Sequence, residues 1–264
     1  MIAEDGTAAI CARIQEGSEI QVGTSGAGWL HRLTDNPTPV KHRPKPKPFR
    51  QVPVPDFLKL QEKYQNELPY DKLLELSDEL GLSKSSLNEL GVGWASWWGK
   101  WHYSFPIRDG SRKLIGIRLR CGDSRVSVKG SKNGLFWPAT VKKQSKEILF
   151  LPEGYSDTGA MRDMGCEAIG RPNCSAGLEY LIQLLKGQNR QVVIVADKDE
   201  AKTRPNGSVY YPGIDGAMGL VKGIKSTVAS VRVIKPPLSK DIRQWYNEGC
   251  TKSKIMAMVN NSRF

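Results

Sequence analysis

Two turns rich in carboxylates follow apolar stretches in the second half of the sequence. Residues 147–152 lead into Glu153, and residues 191–196 lead into Asp197 and Asp199. One such turn on its own would be explained by solvated loop residues. Two turns, each directly after a buried strand, favour a shared site. Three carboxylates that met there would offer only oxygen ligands, which Mg²⁺ and Mn²⁺ prefer.

The elements around these acids alternate between apolar strands and helices. Strands are predicted at 147–152, 168–170, 191–196 and 228–234, and helices at 156–164, 176–186 and 213–224. This alternation predicts an α/β fold with a parallel sheet flanked by helices. Because functional groups collect at the carboxyl ends of parallel strands, we expect the acids to meet at one edge of that sheet.

A strongly basic segment precedes this α/β region. Residues 99–146 contain 12 Lys and Arg residues and two acids, in a chain of formal net charge +12. Apolar and polar residues alternate in 114–120 and 125–129, which predicts short antiparallel strands in a mixed α+β subdomain. Arg118 and Arg120 would share one strand face and could grip successive phosphates, unless that face is simply solvated.

The acidic turns lie in segments that resemble a known domain. Residues 151–173, LPEGYSDTGAMRDMGCEAIGRPN, and the later ADKDE turn resemble the Toprim domain of primases, topoisomerases and some nucleases. Glu153 matches the Toprim glutamate, and Asp197 and Asp199 match its Asp-x-Asp pair. The resemblance implies that these three residues are catalytic and hold Mg²⁺ or Mn²⁺. The extra residues 200–212 depart from the Toprim pattern and leave the role of Asp215 open.

The basic segment extends the resemblance toward bacterial-type primases. Residues 105–107, 116–120, Lys129 and 134–136 resemble, in order, the subdomain that precedes the Toprim domain in those enzymes. Residues 239–245 resemble a Lys-Asp segment of phage and plasmid primases. The resemblance implies an enzyme that makes RNA primers on single-stranded DNA from nucleoside triphosphates, by metal-dependent nucleotidyl transfer.

The resemblance also implies roles for residues around the acids. Five basic residues would bind the phosphates of template or nucleotide, namely Arg118, Arg120, Lys129, Lys132 and Lys240. Asp157 is expected to cap the helix that follows the Glu-Gly turn. Asp241 is expected to cap a later helix. A separate replicative helicase is a further partner that the resemblance allows.

Composition divides the chain into five segments. They are an irregular N-terminal segment with a Pro- and Lys-rich linker, a helical segment, the basic subdomain, the Toprim-like domain and a helical tail, at 1–55, 56–98, 99–146, 147–235 and 236–264. The sequence contains no run of 18 apolar residues, so no membrane span is predicted. The five cysteines form no CxxC pair, so we expect reduced thiols and a cytoplasmic protein rather than a zinc ribbon or a disulfide framework.

Two other functions are compatible with the same residues. A Toprim nuclease would use the acids to cleave DNA or RNA with water. A non-catalytic module would bind nucleic acid through its basic surface alone. A topoisomerase is disfavoured because it needs a nucleophilic tyrosine on a separate domain, and the absence of a GxxxxGK[ST] motif argues against a fused helicase motor.

Overall fold

The structure is a computed structural model that describes residues 2–4, 6–18, 20–22, 28–33 and 54–262. The chain divides after Pro53 into two compact units, each of which is described by itself. The predicted Pro- and Lys-rich linker falls mainly on residues 34–53, which lie outside the described residues.

The N-terminal unit contains a small antiparallel sheet. Its strands are β1 (Ala8–Cys11), β2 (Ile20–Val22) and β3 (Gly28–Arg32). The order is β1-β3-β2, and Cys11 lies opposite Trp29 across the β1–β3 pair. Nε2 of His31 lies 2.9 Å from the carbonyl oxygen of Ile14.

The second unit carries the predicted strands and helices. Its helices are α1 (Phe57–Asn66), α2 (Tyr70–Leu80), α3 (Lys84–Glu89), α4 (Gly154–Asp163), α5 (Leu178–Leu185), α6 (Pro212–Ile224), α7 (Ile242–Asn247) and α8 (Lys252–Asn261). Its strands are β4 (Gly93–Trp97), β5 (Lys100–Arg108), β6 (Leu114–Cys121), β7 (Ser124–Ser127), β8 (Leu149–Leu151), β9 (Gln191–Val195), β10 (Lys202–Thr203), β11 (Val209–Tyr210) and β12 (Ser230–Ile234). None of the helices in the described part of the chain is both long and apolar enough to span a membrane.

Three strands of the basic segment, together with β4 just before it, form a four-stranded antiparallel sheet of order β4-β5-β6-β7. On one of its faces, Phe105 lies opposite Arg118, and Tyr103 lies opposite Arg120. Because directly paired residues project to the same side of a sheet, the two arginines share a face with these aromatic rings. The opposite face packs against α1 in a core that includes Tyr64.

The α/β region contains a three-stranded parallel sheet of order β12-β9-β8. Leu149 and Leu151 pack on the side of α5 and α6, whereas Phe150 packs on the side of α4 and α8. This alternation, with apolar residues on both faces, confirms the predicted parallel sheet flanked by helices. The short strand predicted at 168–170 is present only as isolated bridges, such as the one between Phe150 and Ala168.

Candidate active site at the carboxyl edge of the parallel sheet

The two acidic turns leave the same edge of the parallel sheet. β8 and β9 are parallel neighbours, and Glu153 and Asp197 each lie two residues beyond the end of their strand. Gly154 has a φ of +73°, which lets the chain turn sharply from Glu153 into α4. The backbone of Asp197 touches α6 so closely that a Cβ at Gly213 would overlap its carbonyl oxygen.

A buried arginine ties the two strand ends together. The guanidinium of Arg171 donates to the carbonyl oxygens of Leu151 (3.0 Å), Val195 (2.8 Å) and Cys174 (2.7 Å). It therefore contacts the last residue of β8 and of β9 at once. All of these hydrogen-bond partners are backbone carbonyl oxygens, which carry no full charge. The positive charge of Arg171 therefore also attracts the carboxylate of Glu153.

The strand ends border a cavity of about 160 Å³. It is lined by four carboxylates and four cations, namely Glu153, Asp157, Asp197, Asp241, Arg118, Arg125, Lys240 and Arg243. The Nε atoms of Arg118 and Arg243 are buried and have no hydrogen-bond partner in the described part of the chain. The four cations of the lining make the cavity suited to an anion with several oxygens.

The acids of the site oppose one another's ionisation. Burial, together with the carboxylates of Glu153, Asp241 and Asp199, raises the pKa of Asp197 to about 7. Burial also raises the pKa of Glu153, although the Arg171 guanidinium acts in the opposite direction. Carboxylates that repel one another in a partly buried site are stabilised by a divalent cation.

Asp157 does not cap α4, so that prediction is wrong. The N-cap position belongs to Glu153, which places Asp157 one turn inside the helix. Its buried Oδ1 accepts a hydrogen bond of 3.1 Å from the backbone N–H of Arg243 at the start of α7. Burial raises the pKa of Asp157 well above its ordinary value, and the nearby carboxylates of Asp241 and Asp197 raise it further. Asp157 therefore belongs to the acidic site.

Two further acids, Asp241 and Asp215, stabilise the first turns of helices. Asp241 is the N-cap of α7 and accepts a 2.7 Å bond from the N–H of Gln244, as predicted. Asp215 accepts a 2.7 Å bond from the N–H of Tyr211 and thereby fixes the first turn of α6.

Asp197 and Asp199 meet in a second cavity, and the first cavity contains only one of them. Asp197 lines both cavities, whereas Asp199 lines only the second. In the described part of the chain, no three side chains of the metal-ligating types lie close enough to hold one ion. The Asp-x-Asp turn thus stands between two cavities, with Glu153 on one side.

The two arginines of β6 have different surroundings. Arg118 lines the first cavity and donates to Oδ1 of Asn133 at 3.1 Å. Arg120 makes two bonds to the Glu79 carboxylate, of 2.9 and 2.5 Å, and its side chain is only 9% exposed. Glu79 consequently has a lowered pKa, since the Arg120 hydrogen bonds stabilise its charged form. The charge of Arg120 is thus neutralised within the protein.

The three predicted lysines are also separated. Lys240 lines the first cavity, and its carbonyl oxygen accepts a 2.7 Å bond from the N–H of Lys198 in the Asp-x-Asp turn. Lys132 lines a separate cavity beside α1, and Lys129 is exposed in the turn after β7. The structure therefore brings Lys240 to the acids, but not Lys129 or Lys132.

Sequence reasoning missed three basic residues at the site. Arg125 on β7 and Arg243 on α7 line the first cavity, and Arg171 holds its strand ends. The signal for Arg171 was its place in the Gly-Arg-Pro-Asn turn at 170–173. Arg125 and Arg243 carry no local signal, because only the packing of distant segments brings them to the acids.

Comparisons with known proteins point to one architecture. No family model matches the chain, and no curated protein matches it in sequence. Among solved structures, the catalytic core of Escherichia coli primase matches with a TM-score of 0.58 and 16% identity, covering 77% of this chain and 78% of that one. The chain has the fold of a primase catalytic core. This confirms, at the level of fold, the resemblance seen in the sequence.

Two further structures support the same fold. The DnaG primase catalytic domain bound to single-stranded DNA matches with a TM-score of 0.58 and 16% identity, over 77% of this chain and 79% of that one. The Aquifex aeolicus primase, with its zinc-binding and RNA polymerase domains, matches with a TM-score of 0.58 and 14% identity, over 78% of this chain and 59% of that one.

Proposed function

We propose that this protein is a primase-type nucleotidyl transferase that makes RNA primers on single-stranded DNA. The observation that carries the proposal is one cavity in which Glu153 and Asp197 face Arg118, Arg125 and Lys240. Carboxylates that can hold a metal and cations that can hold phosphates are both needed for joining nucleotides. The primase-core fold, and a similar structure bound to single-stranded DNA, support this choice of substrate.

The carboxylates fit a divalent cation by their chemistry. Mg²⁺ needs only one or two protein carboxylates, because water and substrate phosphates supply its other ligands. Glu153, Asp197 and Asp199 would hold Mg²⁺ or Mn²⁺ directly or through water, with the buried Asp157 and the half-buried Asp241 adding negative charge nearby. When bound, the ion would activate the attacking 3′-hydroxyl and neutralise the departing pyrophosphate.

The basic side chains of the site would position the substrates. The guanidinium groups of Arg118 and Arg243 would bind phosphate oxygens of nucleotide or template, with Lys240 adding charge. The exposed Lys129 and Lys132 would hold the DNA backbone farther from the acids. Arg120 is paired with Glu79, so its contribution to phosphate binding is indirect, through the position of β6. A separate replicative helicase stays a predicted partner.

The experiment that tests this function is a priming assay on single-stranded DNA with labelled ribonucleotides and either Mg²⁺ or Mn²⁺. The wild-type protein should form short RNA products, and the double variant Asp197→Ala plus Asp199→Ala should form none. Asp123→Ala is the matched control, because Asp123 is an exposed turn acid outside the site.

Two results would contradict the proposal. Cleavage of DNA or structured RNA without nucleotides, abolished by the same double variant, would identify a nuclease that uses the same acids. Salt-sensitive binding of DNA with no metal-dependent catalysis would identify a binding module.

A further inference from the structure

The Asp-x-Asp turn borders a second cavity, of about 260 Å³. Its lining consists of the turn itself and three residues from other segments, which together are Asp197, Lys198, Asp199, Tyr211, Ile214 and Lys235. Asp197 is the one residue that also lines the first cavity. Anything bound in the second cavity would therefore lie next to Asp197, as would a ligand in the first.

One wall of the second cavity comes from the extra residues 200–212. They form the β10–β11 hairpin, and Tyr211 follows it directly at the start of α6. The bond between the Tyr211 N–H and Asp215 fixes the backbone there, while the residue is 53% exposed. Ile214 lies beside it in the lining. The insertion thus places the Tyr211 ring beside the acids, and the first turn of α6 adds the aliphatic side chain of Ile214.

The lysines of the second cavity form no ion pairs within the described residues. Nζ of Lys198 donates to the carbonyl oxygens of Pro237 (3.2 Å) and Leu238 (3.4 Å), which fixes its position without a carboxylate partner. Within the described part of the chain, Lys235 makes no ion pair. Two lysines of this kind are suited to phosphate oxygens.

These side chains together have the chemistry of a nucleotide site. An aromatic ring can stack with a base of any identity, and the lysines can bind its phosphates. Joining two nucleotides requires that both lie beside one catalytic centre at once, and Asp197 borders both cavities. We propose that the second cavity binds a second nucleotide, with its base on Tyr211 and its phosphate toward Lys198 and Lys235. The inference rests on the proposed function and adds a location for one of its two substrates.

The test is calorimetric titration with a non-hydrolysable ATP analogue, α,β-methylene ATP, in the presence of Mg²⁺. The full chain should bind two equivalents. Tyr211→Ala should weaken one of the two sites about tenfold or more, and Tyr211→Phe should keep both, because stacking does not need the hydroxyl. Lys235→Gln should weaken the same site about threefold, as expected for one exposed phosphate contact.

Tyr210→Ala is the matched control. Tyr210 is the neighbouring tyrosine, but its ring packs under the guanidinium of Arg204 at 4.6 Å and does not line the cavity. This variant should bind two equivalents like the wild type. If Tyr210→Ala and Tyr211→Ala weakened binding equally, the hairpin as a whole would be responsible and the assignment to Tyr211 would be overturned.

Other outcomes separate this inference from the proposed function. If the wild type bound one equivalent, lost it in Arg118→Met and kept it in Tyr211→Ala, the second site would be overturned while the proposed function stood. If the protein bound single-stranded DNA but no nucleotide at all, both would be overturned.

Discussion

The parallel and antiparallel sheets present their charged residues in different ways. The parallel sheet has apolar faces covered by helices and carries its acids beyond the strand ends, at Glu153 and Asp197. The antiparallel sheet carries Arg118 and Arg120 within a strand, on a face that other segments partly cover. Among the described residues, Glu153 and Asp197 have no cationic partner at hydrogen-bond distance, whereas Arg120 is paired with Glu79.

The difference shows what each position in a sheet can do. Residues beyond parallel strand ends converge while only partly buried, so their charges stay available and repel one another. A charge within a strand is available only where no other segment covers that part of the face. The following predictions test this contrast, from the largest expected effect to the smallest.

Removing one acid from the strand ends should have the largest effect. We expect Glu153→Gln to lower the priming rate roughly 10²- to 10³-fold, because the amide cannot replace the carboxylate as a metal ligand. Glu200→Gln is the control, since Glu200 lines neither of the two cavities and is exposed. Single-turnover rates at saturating Mg²⁺ measure the difference. Equal rates in the two variants would show that Glu153 is a solvated loop residue.

Neutralising Asp197 should stabilise the protein, because its carboxyl has a pKa of about 7 in the folded state against 3.8 ordinarily. A raised pKa means that the ionised carboxyl disfavours folding, so this cost grows as pH rises from about 4 to about 7. We expect Asp197→Asn to increase the free energy of unfolding at pH 8 by on the order of 2 kcal/mol, and by less at pH 5. Urea denaturation at both pH values measures the difference. If Asp197→Asn increased the free energy of unfolding equally at pH 8 and pH 5, the electrostatic explanation would be wrong.

Breaking the Arg120 ion pair should reduce stability more than binding. We expect Arg120→Met to lower the free energy of unfolding by about 1–2 kcal/mol, because Glu79 loses its partner while the apolar part of the side chain is retained. Binding of single-stranded DNA, followed by fluorescence anisotropy, should change less than twofold once the protein is folded. A large loss of affinity at unchanged stability would place Arg120 among the residues that bind phosphate.

The opposite result is expected for the other arginine of β6. Arg118→Met should weaken binding of α,β-methylene ATP or single-stranded DNA about tenfold and leave the melting temperature within a degree or two. Among the described residues, Arg118 has no carboxylate partner that the change would leave unpaired. Fluorescence anisotropy measures the binding, and thermal denaturation measures the melting temperature. If both variants behaved alike, the two positions on the strand would be equivalent after all.

The smallest effect is expected for an exposed charge away from the acids. Lys129→Gln should lower DNA affinity about two- to threefold and reduce the slope of log K against log salt by about 1, with the priming rate at saturating DNA unchanged. Titrations at several salt concentrations measure the slope. An unchanged slope would exclude Lys129 from the DNA-binding surface.

Much of the fold could be predicted because it depends on local patterns. Apolar runs of five or six residues bounded by turns gave the strands β8 and β9, and helical periodicity gave α5 and α6 within two residues. The wrong assignment of Asp157 arose because a cap was inferred from sequence proximity, one turn too late in the helix. Its actual partner, Arg243, is 86 residues away in sequence.

The sequence by itself determined that Glu153 and Asp197 leave parallel strands at one edge, because strand order and polarity follow from the alternation of elements. Tertiary structure alone decided which cations remain available. Arg118 and Arg120 are equivalent in the pattern of β6, but Glu79, 41 residues away, neutralises only Arg120. Packing also brought Arg243 to the first cavity and Tyr211 to the second. The physical reason is that side-chain periodicity is local, whereas desolvation and charge pairing depend on whatever distant segment packs beside each group.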